Sequence, residues 1–524
     1  MEYLALQVVF LPLLLSPLAY LLGRKFGPTT TMWFTFGILA YCTSIIIHQF
    51  TIGDYEEHYK WTEQFGEFGF LFDGLSSIFA IIIYLLCTIL TLYSKPYMIH
   101  KFQENFKLEN KNEQQSQLQN KQTMIVQTDQ TEYINKNSGV YFALYLVFAM
   151  GMLGTVLATN LIEFYVFFEV MLVPAFFLIA FYGDGNKRRI SLMFFFWTHV
   201  GAVILLLGFL TIGLSIGSFD FVDIDESEIP EDILLLSASA IIIGLGVKLA
   251  AFMFHIWLPY AHGSAPTPIS ALLSPAMIGI GAYGLFRLII EFLPGAYHEL
   301  AIWLHIWGLL TMIYGGIMAL MQDDIKRLFA YSSISQMGYL LFGIGSYSVL
   351  GMTGAEMMYI THALGKGLLF MSAGVLIVQV KTRSISKLGG LANKLPVTVV
   401  CAVIGALTIM GVPPTSGFMG EWMLFYGAID TAIDEDSTLR IIIFSLGLIS
   451  TVITMSYMLW MLKRVFFGKL PENLTHVKDG NWYMLSPMIV LAGLTIILGI
   501  YPDIFLNKIV PYMSEITTRI LSIN

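Results

Sequence analysis

The sequence predicts an all-α polytopic membrane protein of about fourteen transmembrane helices, on three observations: its composition, the recurrence of long apolar runs, and the placement of its charge. Of 524 residues, 56% are hydrophobic and 12% charged, with a mean hydropathy of +0.72, so hydrocarbon rather than water is the solvent for most of the chain. Apolar runs of about 20 residues recur from end to end, the length that crosses roughly 30 Å of hydrocarbon. A water-soluble chain of this length would divide into several cores; this one reads as a single integral bundle.

The runs at 4–22, 31–50 and 75–94 form an N-terminal group of three spans within residues 1–94. The start, "MEYLALQVVF", carries an acid where a signal peptide carries positive charge, and no small-residue cleavage site follows, so the first run is expected to stay as a span. Residues 95–138, with the Gln- and Asn-rich stretch "KFQENFKLENKNEQQSQLQNKQTMIVQTDQTEYINKN", read as a mobile polar cytoplasmic loop too poor in apolar residues to fold alone. Five runs follow within 139–290, at 139–159, 162–182, 190–215, 234–258 and 266–290. Five more lie within 298–462, at 298–320, 326–346, 355–380, 396–428 and 440–462. Residues 484–524 hold a last span, 484–502, and the tail "IFLNKIVPYMSEITTRILSIN", which is too interrupted for another crossing and reads as an interfacial helix or a tail packed on a partner.

Charge orients these spans. Arg24 and Lys25, the segment 95–138, "NKRR" at 186–189, "IKR" at 325–327 and the segments 381–395 and 463–483 hold 21 of the 28 Lys and Arg residues, and alternate with acidic loops: "DYEEHYKWTEQFGEFGFLFD", "DFVDIDESEIPED" and "DTAIDEDS". The positive-inside rule then puts both termini on the non-cytoplasmic side of a cell membrane. Cys42, Cys87 and Cys401 all lie in apolar runs without CxxC spacing, which argues against iron–sulfur ligation and disulfides. No Walker loop, nucleotide fingerprint or metal cluster is present, so no cofactor or metal is expected on this chain and no nucleic-acid partner; lipid surrounds it.

An ionisable side chain inside a span costs several kcal/mol unless paired, hydrated or neutral, and is a functional candidate by default. Glu169 lies well inside "LIEFYVFFEVMLVPAFFLIAF", and Lys248 is equally deep in "ASAIIIGLGVKLAAFMFHIWLP", too far from either end to snorkel. A Glu169–Lys248 pair across helices answers both desolvation costs and leaves a lysine whose proton affinity follows the distance to the carboxylate. Pro259, followed by "HGSAPTP", is expected to break the seventh span; His255, one turn earlier, is a proton handler or a capping group. His362 and Lys366 are four apart and share a helix face in the eleventh span. Pro413 and Pro414 must interrupt the twelfth, and Glu421 stands two turns beyond. His199 is a further relay candidate. His305 reads as structural, satisfied by a carbonyl or Trp, Arg287 as an anchor paired with Glu291, and Glu163 as solvated at its span end.

The segments "FYVFFEVMLVPAFFLIAFYG", "VKLAAFMFHIWLPYAHGSAPTPISALL", "MALMQDDIKRLFAYSSISQMGYLLFGIG", "THALGKGLLFMSAG" with "KLGGLANKLP", and "GVPPTSGFMGEWMLFYG" resemble, in that order, the signature segments of the antiporter-like membrane subunits of respiratory complex I, most of all the subunit-four type, over roughly residues 139–465. The resemblance implies two inverted five-helix repeats, at 139–290 and 298–462, with discontinuous seventh and twelfth spans, in a proton-pumping subunit. It implies a gating pair of Glu169 and Lys248, a central His362 and Lys366, and an exit-side acid, Glu421. It also implies NADH:quinone-type redox chemistry with FMN, iron–sulfur clusters and quinone on partner subunits, beside neighbouring antiporter-like subunits; the alternatives are a subunit of a multi-subunit Na+/H+ antiporter or of a membrane-bound hydrogenase. Two positions depart from the pattern. Gly279, or a close neighbour, stands where the eighth span commonly carries Lys, a gap that water or His199 would have to fill, and Gln336 stands where His is frequent.

Overall fold

The computed structural model describes residues 3–119 and 129–523. Helices occupy every one of the fourteen expected runs, and among the described residues twelve helices are long and apolar enough to cross a membrane. Two helices open the chain, α1 (Leu4–Phe26) and α2 (Pro28–Ile52), joined at Gly27, whose φ of 81° an L side chain rarely adopts. The acidic stretch that follows is a hairpin of β1 (Tyr55–Thr62) and β2 (Gly66–Phe72), not the plain loop expected. Aromatic residues packing face to edge, Phe68 on Phe70 at 5.1 Å among them, supply the apolar surface that lets a short two-stranded sheet hold.

Glu57 fastens that hairpin to the bundle. Its carboxylate accepts the backbone N–H groups of Ala5 and Leu6 at 3.0 Å each, in the first turn of α1, and the hydroxyls of Tyr55 at 2.6 Å and Tyr59 at 2.9 Å. Burial pushes its proton affinity up, but the hydrogen bonds from Tyr55, Ala5, Leu6 and Tyr59 outweigh it and hold the carboxyl below its usual value. A group depressed on folding stabilises fully above its unfolded value and loses that contribution as pH falls through its folded value. Glu57→Gln is therefore expected to lower the melting temperature at neutral pH, by on the order of 1.5–3 kcal/mol of stability. The difference from wild type should vanish in acid, which thermal unfolding across a pH series would check.

Next come α3 (Ser76–Gln119) and α4 (Gln130–Leu157). The polar segment expected as a loop is helical at both ends, extending α3 past the membrane and beginning α4; residues 120–128 lie outside the described residues. Glu, Lys and Gln are good helix formers that prolong a helix the span has already nucleated. The extension is pinned to α4 by Phe106 against Tyr133 at 5.3 Å and by the Tyr133 hydroxyl donating to Glu109 at 2.9 Å. The fifth span is two helices, α5 (Leu161–Val170) and α6 (Leu172–Tyr182), because Pro174 has no N–H for the Val170 carbonyl.

After α7 (Lys187–Ile216), the seventh span divides into α8 (Glu231–Leu249) and α9 (Trp257–Ser264). The break precedes Pro259 rather than falling on it, since Pro259 occupies the first turn of α9, where its missing N–H is no loss. The eighth span runs as α10 (Thr267–Leu272) and α11 (Ile278–Gly284), each followed by a π-helical stretch, Leu273–Met277 and Leu285–Glu291, and is buried from Thr267 to Ile290. Then follow α12 (Pro294–Leu320), α13 (Ile325–Gly345) and α14 (Val349–Val380). The twelfth span is α15 (Pro396–Ile409) and α16 (Gly417–Asp434), parted around Pro413 and Pro414 as expected, and the chain ends with α17 (Thr438–Val465), α18 (Trp482–Ile500) and α19 (Asp503–Ile523).

α12 and α13 lie backbone to backbone: a Cβ at Gly308, Gly315, Gly338 or Gly345 would overlap main-chain atoms of the facing helix, the small-residue contact by which membrane helices associate. α14 is the axis of the molecule, buried at every residue from Gly351 to Leu376. The tail, α19, packs on α14 and α12 of its own chain, with the ring of Tyr512 over Gly74.

Candidate functional site

The polar side chains inside the bundle form three groups. In the first, Asn160 caps α5 by accepting the N–H of Ile162 at 2.8 Å, and Glu169 sits one residue from the end of that helix, where the chain bends ahead of Pro174. Its Oε2 lies 2.8 Å from Nδ1 of His199 on α7, with side chains 22% and 40% exposed, at the edge of the chain. Lys248, one residue from the end of α8, is 2% exposed and holds its Nζ over the Phe168 ring, 4.4 Å from the centroid. The expected Glu169–Lys248 ion pair is thus not closed. Phe168 takes the amine and His199 takes the carboxylate.

The main chain turns sharply beyond Lys248, with left-handed Ala250 (φ 56°) and Met253 (φ 76°). Loose carbonyls in such a break need donors. Three indole N–H groups supply them: Trp257 to Val247 at 2.9 Å, Trp307 to Phe252 at 3.0 Å and Trp197 to Phe254 at 3.0 Å. His255 lies in the break, its Nε2 3.0 Å from the Tyr314 hydroxyl.

The second group centres on α14. His362 Nε2 reaches the Ser274 carbonyl at 3.2 Å, Ser274 and Ser333 share a hydrogen bond of 2.7 Å, and Lys366 donates to the Phe329 carbonyl at 3.1 Å and to the Ser332 hydroxyl. His362 and Lys366 are both fully buried, without an acid in contact among the described residues. The position beside Gly279 is filled by the ring of Tyr359, which a Cβ there would overlap and which stacks on Phe79 at 4.0 Å. His199 is elsewhere, on Glu169, and does not fill it.

In the third group, the broken ends of α15 and α16 are held by Gln336 Nε2 donating to the Ile409 carbonyl at 3.4 Å, and by Thr495, whose hydroxyl lies 2.8 Å from that of Ser416. The carboxylate of Glu421 rests where Gly411, at φ 65°, leaves it room. It faces a groove of about 400 Å³ lined mainly by Phe418, Trp422, Phe425, Tyr426 and Phe444.

Residues 158–454 match the family model described as NADH:quinone oxidoreductase/Mrp antiporter, transmembrane. The chain belongs to this family. It is 34% identical to NADH-quinone oxidoreductase subunit M of Rickettsia prowazekii over 71% of this chain and 75% of that one, and 33% identical to F(420)H(2) dehydrogenase subunit M of Methanosarcina mazei over the same shares. Among solved structures, respiratory complex I of Thermus thermophilus contains a chain with a TM-score of 0.82 at 22% identity, covering 98% of this chain and 99% of that one. The Mrp complex of Dietzia gives a TM-score of 0.81 at 18% identity, covering 99% and 98%. The family and the twelve apolar helices make this a multi-pass membrane protein of the antiporter-like, complex I type.

Several buried polar groups of this antiporter-like chain were not legible as site residues. Glu356, not singled out from the sequence, is fully buried on α14, one turn from Tyr359 and two from His362; reading the face at intervals of three and four would have found it. Arg287 does pair with Glu291, at 2.7 Å, but also with Asp73 at 2.6 Å, and Tyr512 donates to Glu291 at 2.7 Å, so a single anchor becomes a closed cluster. Glu163 is buried, not solvated: the hairpin covers it, and its Oε2 accepts from Gly69 N–H at 3.2 Å and Thr159 N–H at 3.3 Å. His305 packs on the edge of Phe342 at 4.1 Å and has no carbonyl or Trp partner among the described residues.

Proposed function

We propose that the chain is a proton-translocating membrane subunit of a complex I-type oxidoreductase in the cell membrane, converting redox energy delivered by partner subunits into movement of H+. The observation that carries this is a set of buried titratable groups, Lys248, His362 and Lys366, placed beside broken helices and bounded at the chain's two edges by Glu169 and Glu421. Ionisable groups at helix discontinuities are the usual means by which membrane proteins hold and pass ions. The breaks in the seventh and twelfth spans, five spans apart, support two repeats of related structure.

In this reading Lys248 gains and loses its proton as Glu169 moves toward and away from it, and the proton passes by His362 and Lys366 toward Glu421 and the acidic outer face. His255, at the break, is a further relay. Electrons do not touch the chain: FMN, iron–sulfur clusters and quinone belong to the partners, and the partly buried Glu169 and Glu421 face neighbouring antiporter-like subunits. Both termini lie on the non-cytoplasmic side. Purifying the native complex tests this: flavin and iron–sulfur subunits are expected to co-purify, with donor-driven acidification independent of sodium. Sodium-dependent exchange without redox subunits would make the chain an antiporter subunit instead, and hydrogen activity in the same preparation a hydrogenase subunit.

A further inference from the structure

α14 carries Lys366, His362, Tyr359 and Glu356 at intervals of four, three and three, so the four side chains follow one side of the helix over about 15 Å. All four are fully buried. Both carboxylate oxygens of Glu356, the Tyr359 hydroxyl and His362 Nδ1 have no hydrogen-bond partner among the described residues. Buried polar atoms are almost always paired, and a carboxylate with neither oxygen satisfied is a cost of several kcal/mol that packing alone does not call for. A run of three such residues along one helix side is an opening for proton transfer.

The outer end of this line meets charge. One turn along the helix from Glu356, the Tyr359 ring stacks on Phe79 at 4.0 Å, Phe79 packs on the edge of Tyr283 at 5.3 Å, and the Tyr283 hydroxyl accepts from Arg287 Nε at 3.2 Å. Asp73 is fixed twice, since its Oδ1 accepts the N–H of Ser76 at 2.8 Å at the start of α3 while its Oδ2 holds Arg287. Arg287 and Glu291 in turn line a cavity of about 410 Å³ together with Glu56, Glu67, Asp220 and Asp223, the acids of the outer loops. A proton reaching this cluster therefore finds further carboxylates lining a cavity. By contrast, the groove at Glu421 is walled by aromatic and aliphatic side chains and offers no second carboxylate.

We propose that Glu356 is an outward proton-release group, handing protons from His362 and Tyr359 to the Arg287–Asp73–Glu291 cluster and its cavity, by a route separate from Glu421. This rests on the transport reading above. In each cycle the neutral carboxyl gives its proton to the cluster side and takes one from the His362 side, directly or through water; only O–H and N–H bonds are exchanged.

The test is the ratio of protons translocated to electrons transferred by the intact complex in liposomes, for wild type, Lys248→Met, Glu356→Gln, Glu356→Asp and Tyr359→Phe. Glu356→Gln is expected to fall to the ratio of Lys248→Met, which marks the share this chain carries, and Glu356→Asp to recover at least half of the difference. A protonated-carboxyl band should also leave the redox-induced infrared difference spectrum in Glu356→Gln. A wild-type ratio in Glu356→Gln overturns the proposal; should that variant fail to assemble, a wild-type ratio in Tyr359→Phe, which loses only the hydroxyl, overturns it equally. If wild type itself moves no protons, the transport reading fails, whereas a lowered Lys248→Met with an unaltered Glu356→Gln removes Glu356 alone.

Discussion

Lys248→Met is expected to lower proton translocation through this chain at least about tenfold, equivalent to roughly 1.4 kcal/mol or more on the transfer barrier, while the complex still assembles and electrons still flow. Lys248 is a demanding residue to bury: an amine 2% exposed, one residue from the end of α8, whose close support is the face of Phe168. A cation over an aromatic ring gains about 0.5–2 kcal/mol, and a helix C-terminus adds up to about 2 kcal/mol for a cation. Neither matches the cost of a buried charge, which is several kcal/mol. The ammonium therefore needs further support, which in the proposed cycle comes from the approach of Glu169. Methionine fills much the same space without the amine, so folding should not suffer. Unchanged pumping in reconstituted Lys248→Met complex would reduce the intramembrane charges to interhelical glue.

This arrangement was only half legible. Glu169, Lys248, His362 and Lys366 stand out in the sequence because each is an ionisable residue inside an apolar run, and the cost of placing it there does not depend on the fold. Their partners do depend on it. His199 is thirty residues from Glu169, and only the packing of α7 beside α5 and α6 puts Nδ1 within 2.8 Å of the carboxylate. The break after Lys248 was assigned to Pro259 because proline is the visible helix breaker; the chain turns earlier, at Ala250 and Met253, where indole donors from three helices satisfy the carbonyls. Gly279 looked like a missing group, whereas the space is occupied by Tyr359 from another helix. The hairpin was hidden for a different reason: its acidic residues read as solvated loop, while the alternation that makes a strand lies in the aromatic residues between them.

The second large effect is expected at the chain's edge. Glu169→Gln should cut proton translocation by about tenfold and leave electron transfer partly uncoupled, because glutamine keeps the shape and the hydrogen bond to His199 but removes the charge proposed to act on Lys248. His199 Nδ1 lies 2.8 Å from the Glu169 carboxylate. If the imidazole holds the carboxylate away from Lys248 in the resting state, His199→Gln should weaken pumping less than Glu169→Gln, and the double variant should resemble Glu169→Gln alone, since a residue that acts only through Glu169 has nothing left to act on. Additive losses would instead give the histidine a proton-carrying role of its own. With side chains 22% and 40% exposed, the pair lies at the edge of the chain, where the proposed neighbouring subunit would reach it. On the proposed mechanism the conformational signal needs no long path through the protein: it is the breaking of one 2.8 Å contact at the edge, which would free a carboxylate for the amine behind Phe168. Translocation measured in Glu169→Gln and found equal to wild type would take Glu169 out of the mechanism and leave Lys248 without its switch.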